Sequence, residues 1–203
     1  MVENSIHFSF DITRIMFCSG NCTERMRMAK VISPLSGEVV VDLYAGVGYY
    51  TLPFLVYGKA RHVHACEWND NSVLALTHNL KKASVFDRCS IYHSDNRSAR
   101  VVETLSGVAN RVCLGLLPSS EEGWPLAASA LVASGGFIHV HENVKISEIE
   151  NKMKYICTTF EELFLKIDKP IKVKCVHVEK VKSYAPKVLH IVFDLECYIF
   201  DFL

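Results

Sequence analysis

The sequence predicts a doubly wound, mostly parallel α/β sheet ending in an antiparallel hairpin. Three observations carry this expectation. Short segments that read as strands, at 38–41, 62–66, 89–93, 111–117 and 137–140, recur between segments with helical spacing. The first of them is a short apolar run bounded by Gly37, which suits a parallel strand covered on both faces. The first run enters a glycine turn, Gly46-Val47-Gly48, ahead of a short helical segment. The last two extended segments, 173–182 and 188–200, are joined by Ser183-Tyr184-Ala185-Pro186. So short a link makes them antiparallel neighbours.

Taken in order, residues 6–15 alternate loosely, with Ile6, Phe8, Phe10 and Ile12 on one face of a strand or extended arm. Residues 16–21 read as a loop, and Thr23 as the cap of a helix over 23–30. On that helix Arg25 and Arg27 are either solvated charges or anion contacts. Residues 51–57 form a helix that tolerates Pro53 in its first turn. Residues 72–82 carry Val73, Leu74, Leu76 and Leu80 at helical spacing. Residues 101–106 and 126–133 read as further helices, the second stopped by Gly135-Gly136. The segment 148–166 is a longer helix carrying Met153, Ile156, Phe160, Leu163 and Phe164, with Ile167 just beyond it.

Composition excludes several classes. The chain has 203 residues, half of them hydrophobic and 22% charged, enough for one α/β domain with a substantial core. Lys and Arg equal Asp and Glu at 22 each, so this is no strongly basic nucleic-acid binder. The eight cysteines are scattered without a C-x-x-C pair, which reads as reduced thiols of a cytoplasmic protein. No apolar run approaches the length that crosses a bilayer. His139 and His141 share one strand face, but no third ligand is placed, so they read as packing or hydrogen-bonding histidines and no metal is expected.

The glycine turn discriminates between ligands. A dinucleotide site wants G-x-G-x-x-G before a helix that faces a pyrophosphate. Here the third position is Thr51, and Asp42 stands four residues before Gly46. A carboxylate repels a pyrophosphate but suits a ligand carrying an amino group and a sulfonium, so D-x-x-x-G-x-G favours S-adenosylmethionine over NAD. Glu67 ends the next strand, 19 residues beyond Gly48. That offset suits a carboxylate meeting two ribose hydroxyls, with a surface glutamate as the plain alternative. Trp68 packs against a ligand ring or against the core. Asp95 and Asn96 follow the third strand, where an adenine amino group is bound or where a solvated turn sits. In open sheets ligands lie beyond the carboxyl ends of the strands, so Asp42, Glu67, Asp95, Pro118 and His141 are expected to converge.

These residues together resemble a known family. Phe10-Asp11-Ile12-Thr13, Ser19-Gly20-Asn21 with Thr23-Glu24-Arg25, Asp42-Leu43-Tyr44-Ala45-Gly46-Val47-Gly48, Ala65-Cys66-Glu67-Trp68-Asn69 and Asp95-Asn96-Arg97 resemble the tRNA wybutosine-synthesising protein 2 family. The most specific match is Leu114-Gly115-Leu116-Leu117-Pro118-Ser119-Ser120-Glu121-Glu122-Gly123-Trp124-Pro125. Lys182-Ser183-Tyr184-Ala185-Pro186 and 190–197 extend the likeness towards the end of the chain. The related tRNA guanine methyltransferases carry an asparagine-proline motif after the fourth strand, where this chain has Gly115-Leu116-Leu117-Pro118.

The resemblance implies a Rossmann-like fold of the class I S-adenosylmethionine-dependent methyltransferase type. It implies transfer of the 3-amino-3-carboxypropyl group, not the methyl, from S-adenosylmethionine to a wyosine-type base beside the anticodon of tRNA(Phe). A tRNA guanine methyltransferase and a cofactor-binding module without catalysis are the alternatives. The implied cofactor side comprises Cys18, Arg25, Asp42, Tyr44, Gly46, Gly48, Glu67, Trp68, Asp95 and Asn96, with Cys18 and Arg25 beside the amino-acid arm. The family has serine where Cys18 stands, and a thiol is the weaker hydrogen-bond partner. Pro118, Ser119, Ser120 and Glu121 are the substrate-side candidates; no general base is assigned. Residues 1–36 are expected to form an arm with a cofactor-flanking loop and helix, and residues 37–203 the catalytic domain. A family region used for tRNA precedes the arm at Phe8 and is not found in this sequence, so tRNA binding is expected to be weak.

Overall fold

Valines make the first parallel strand: Val40 and Val41 are wholly buried, each apolar side chain contributing about 1.5–3 kcal/mol of burial. The computed structural model describes residues 1–15, 19–30 and 35–199. The chain divides into two compact units, Met1–Val101 and Val102–Leu203.

The first unit opens with a small antiparallel pair, β1 (Val2–Glu3) and β2 (Ile6–His7). Helix α1 (Cys22–Lys30) follows. Then β3 (Val39–Asp42), α2 (Thr51–Val56), β4 (His62–Glu67), α3 (Asp70–Lys82) and β5 (Cys89–His93) alternate. The three strands are parallel in the order β5-β4-β3. Register sets Asp42 opposite Ala65 and Glu67 opposite His93, so the strands finish nearly level. Asn69 caps α3, its side chain accepting from the Ser72 amide at 3.1 Å. Helix α4 (Ala99–Leu105) spans the boundary of the units.

The second unit holds β6 (Arg111–Leu114), α5 (Trp124–Ala130), β7 (Gly135–Lys145), α6 (Ile149–Lys166), β8 (Ile171–Ala185) and β9 (Val188–Ile199). Strands β6 and β7 are parallel, and β9 runs antiparallel to both β7 and β8, in the order β6-β7-β9-β8. The predicted hairpin is therefore present, with Pro186 and Lys187 as its turn. Trp124, Phe160 and Phe164 form the aromatic core, with ring centroids 5.4 and 6.4 Å apart. Lys169 closes the end of α5, donating to the carbonyls of Ser129 at 2.8 Å and Ala128 at 3.3 Å.

Several expectations change. Ile12 is 82% exposed, because 12–14 is a turn rather than part of a strand. On α3 the buried face is Ser72, Ala75, Leu76, Asn79 and Leu80, and Leu74 points to solvent. Helix α5 stops at Ala130, where Leu131 turns extended, before Gly135 and Gly136, which belong to β7. A Cβ on either glycine would lie 2.1 Å from a carbonyl oxygen, that of Cys197 or Asn110. Strand β6 ends at Leu114, earlier than predicted, while β7 runs on to Lys145. That extension is made by pairing with β9, so His141 lies inside a strand and not at its carboxyl end.

Candidate functional site

The glycine turn holds its shape through groups on three segments of the first unit. Gly46 and Gly48 sit at φ +55° and +103°, left-handed backbone that glycine adopts freely. Asn79, fully buried, donates to the Val47 carbonyl at 3.0 Å and accepts from the Ser9 amide at 2.8 Å. A polar residue on the inner face of α3 thus ties the turn to the N-terminal arm. Its place in a helical pattern, an asparagine among leucines, was its only sequence signal.

Asp42 is completely buried. The spacing predicts a carboxylate open to a ligand; the structure encloses it instead. Its oxygens accept from the Thr51 hydroxyl at 2.7 Å and the Tyr44 amide at 3.3 Å. Burial, opposed by those bonds, pushes its carboxyl up to about 6. Thr51, the residue that argues against a dinucleotide, is therefore Asp42's partner. Tyr44 itself is half-buried beside this bond.

Glu67 meets the same turn from the neighbouring strand. One carboxylate oxygen accepts from the Gly46 amide at 2.9 Å; the other accepts from the amides of Trp68 at 2.9 Å and Asn69 at 2.7 Å. The side chain is half-buried. Three of the four lone-pair sites are thus used, and the one left, on the oxygen that accepts from Gly46, is available to a hydroxyl donor. Trp68 is 76% exposed, and so lies outside the core.

After β5, Asp95 is exposed and paired with Arg97 at 2.8 Å, and the hydrogen bonds from Arg97 hold its carboxyl down at about 2. Asn96 is buried and donates to the Leu43 carbonyl at 2.8 Å, fixing this loop to the end of β3. Arg25 and Arg27 are not solvated. The Arg25 guanidinium is buried against the Glu3 carboxylate and lies 5.2 Å from the Tyr49 ring centroid. Arg27 forks onto Glu24 with two bonds of 2.7 Å. Cys18 lies outside the described residues.

In the second unit the substrate-side candidates form a loop pinned to β7. The Asn143 amide donates to the Pro118 carbonyl at 2.8 Å. Glu142, 2% exposed, accepts from the Ser119 hydroxyl at 2.7 Å and the Ser120 amide at 3.3 Å. Lys152 of α6 pairs with Glu142 at 3.2 Å and lies within 5.4 Å of the Trp124 and Tyr155 ring centroids. Glu121 accepts from the Tyr155 hydroxyl. Sequence reasoning missed Glu142 and Lys152, because their partners are set by strand length and helix docking. The two histidines are internal: His139 bonds Asp194 and Arg111 at 2.7 Å each, and His141 bonds His190 at 3.0 Å. Among the described residues no cluster of three or more His, Cys, Asp or Glu could hold a metal, seven cysteines are free thiols, and no helix is long and apolar enough to cross a membrane.

A mostly parallel α/β sheet, a glycine turn after its first strand and a glutamate closing the next define a domain of the class I S-adenosylmethionine-dependent methyltransferase type. The model of the TRM5/TYW2 methyltransferase domain matches residues 1–163, and the chain belongs to that family. It is 41% identical to a tRNA wybutosine-synthesizing protein 2 homolog of Danio rerio, covering 97% of this chain and 54% of that protein. The structure of M. jannaschii TYW2 in complex with AdoMet superposes with a TM-score of 0.84 at 31% identity, covering 98% of this chain and 84% of the other. That of P. horikoshii TYW2 in complex with MeSAdo gives 0.83 at 35%, covering 97% and 70%. The chain spans about half the length of the curated relatives it matches.

Proposed function

We propose that the chain binds S-adenosylmethionine in its first unit and transfers the 3-amino-3-carboxypropyl group to a wyosine-type base beside the anticodon of tRNA(Phe), in the cytoplasm. The observation that carries the reading is the bond between Glu67 and the Gly46 amide, 2.9 Å long. It draws a strand-end carboxylate and a glycine turn together, as a ribose and its neighbouring chain require. The wybutosine-synthesizing relatives, and a TYW2 structure holding AdoMet, support the cofactor and the reaction class.

In this reading Glu67 receives the ribose through the acceptor site it has left, and Trp68 offers a ring face to the adenine. Asp95 takes the adenine amino group from a loop that Asn96 holds in place. Asp42 acts through Thr51 and Tyr44, shaping the turn. Arg25, held by Glu3, borders the amino-acid arm together with Cys18. Pro118, Ser119, Ser120 and Glu121 face the tRNA side. The sulfonium supplies three electrophilic carbons, and the residues select one by setting which lies in line with the base carbon. Residues 1–36 serve as the cofactor-flanking arm and 37–203 as the catalytic domain. The plain methyltransferase is disfavoured by Gly115-Leu116-Leu117-Pro118, which lacks the asparagine.

The test is incubation with labelled S-adenosylmethionine and tRNA bearing the wyosine precursor. Expected are an aminocarboxypropylated nucleoside and methylthioadenosine. Adenosylhomocysteine as by-product would instead make the chain a methyltransferase, and binding without any transfer a silent cofactor module.

A further inference from the structure

We propose that the tip of the β8–β9 hairpin is an RNA contact in which Tyr184 stacks on an unpaired base while Lys145, Lys182 and Lys187 meet phosphates. The choice of RNA rests on the reading under Proposed function; the placement rests on the hairpin itself.

The ladder between β8 and β9 slips at its end. Ser183 opposes Leu189 and Ala185 opposes Val188, leaving Tyr184 without a cross-strand partner. A bulge of this kind re-aims a side chain. Tyr184 is turned out to 59% exposure, at the rim rather than over the core. The turn itself places a cation at the hairpin tip. Lys187 sits at φ +61°, a conformation that glycine or asparagine holds without strain.

Two further lysines border the tip. Lys145 ends β7 opposite Val188, and the next amide, that of Ile146, donates to the Lys187 carbonyl at 3.0 Å. The Lys145 side chain is 65% exposed, with Glu148 at 3.4 Å as its acidic neighbour. Lys182 opposes His190 two residues before Tyr184. The rim also continues into the loop named for the substrate side, since Asn143, two residues before Lys145, donates to the Pro118 carbonyl at 2.8 Å.

Lysines on an edge strand by themselves protect it from pairing with other chains, and Lys172, Lys174 and Lys180 serve that purpose on β8. An exposed aromatic ring at the same edge does the opposite. A ring flanked by cations is the combination that holds single-stranded nucleic acid: the ring stacks on any base and the cations follow the backbone.

The test titrates a fluorescent anticodon stem-loop RNA with the chain, at low and at physiological salt. Tyr184→Ala is expected to weaken binding about 10-fold, while Tyr184→Phe, which keeps the ring, binds as the parent does. Lys187→Glu lowers the salt slope by about one. Lys172→Glu with Lys174→Glu, at the far end of the same strand, changes nothing. Unaltered binding by Tyr184→Ala, an equal loss in the distant lysine pair, or no RNA binding at low salt would each overturn the proposal. S-adenosylmethionine binding, and transfer to tRNA bearing the wyosine precursor, are followed in parallel with the same protein preparations. If the parent transfers nothing yet Tyr184→Ala still weakens the RNA complex, the contact stands and the transfer reading falls.

Discussion

Asp42 shows how a single buried carboxylate sets a pH dependence. In the unfolded chain it releases its proton near the ordinary carboxylate value of 3.8, and in the folded protein only near 6. Between those values the folded state holds the extra proton, so this group's contribution to stability falls as pH rises through the window, by up to about 1.4 kcal/mol per pH unit. His190 acts the other way. Burial, with Lys182 nearby, lowers its value to about 4 from 6.5, so the unfolded state takes up the proton first and stability falls as pH drops below 6.5. Asp42→Asn removes one arm of this balance, its oxygen still accepting from the Tyr44 amide while its NH2 donates to the Thr51 hydroxyl. Its melting temperature is expected to exceed the parent's at pH 8 and to match it near pH 4, as thermal melts across pH will show. Equal shifts at both values would mean that Asp42 is ionised throughout. That an acid ends the first strand, four residues before Gly46, was legible in the sequence. Its burial was not, because that depends on Thr51 folding back over it. His139 and His141 were legible as internal hydrogen-bonding residues, since a strand offered them no third ligand, although Asp194 and His190 came from a strand far along the chain.

Among the elements, β7 carries the loop that follows β6. Glu142 joins three parts: the Ser119 hydroxyl, the Ser120 amide and the Lys152 ammonium of α6. Removing the lysine alone strands a carboxylate that is 3% exposed. Lys152→Met is therefore expected to destabilise by about 2 kcal/mol, less than the loss for a fully buried pair because the lysine is partly solvated. Adding Glu142→Gln should recover part of that loss, because an amide still accepts from Ser119 and needs no counter-charge. Denaturant titrations of the single and double variants give the coupling, and strictly additive losses would show that the pair does not interact. Amide exchange over 117–123 should rise in Glu142→Ala and stay at parent level over 42–50. The parallel strands β3, β4 and β5 were readable to within a residue, because each is a short segment that closes on an acid, Asp42 or Glu67, or on the Ser94-Asp95-Asn96 turn. Strand β7 was not, since its last five residues owe their conformation to β9. Helix α5 was misplaced for a related reason: its stop is the extended Leu131, and the two glycines beyond it answer to neighbouring carbonyls.

At the scale of the whole chain, equal numbers of acidic and basic residues leave no long-range field to gather RNA. Under the proposed RNA contact, affinity for tRNA comes from local contacts, and three rim lysines release few counterions. The expected slope of log affinity against log salt is about −2 to −3, from roughly 0.7–0.9 per phosphate contacted. Binding to tRNA at physiological salt should be weaker than micromolar, whereas S-adenosylmethionine, held by hydrogen bonds and stacking, should bind with little dependence on salt. The alternation of strand and helix that defines the fold was open to reading because local sequence patterns determine it. The charge distribution over the surface was not, because it depends on which face each strand turns outward and on bulges such as the one at Tyr184. Filter binding of tRNA and calorimetry with S-adenosylmethionine, each across a salt series, separate the two terms. Micromolar or tighter tRNA binding with a slope steeper than about −5 would require a basic surface larger than the hairpin tip, and would remove that tip as the main point of contact.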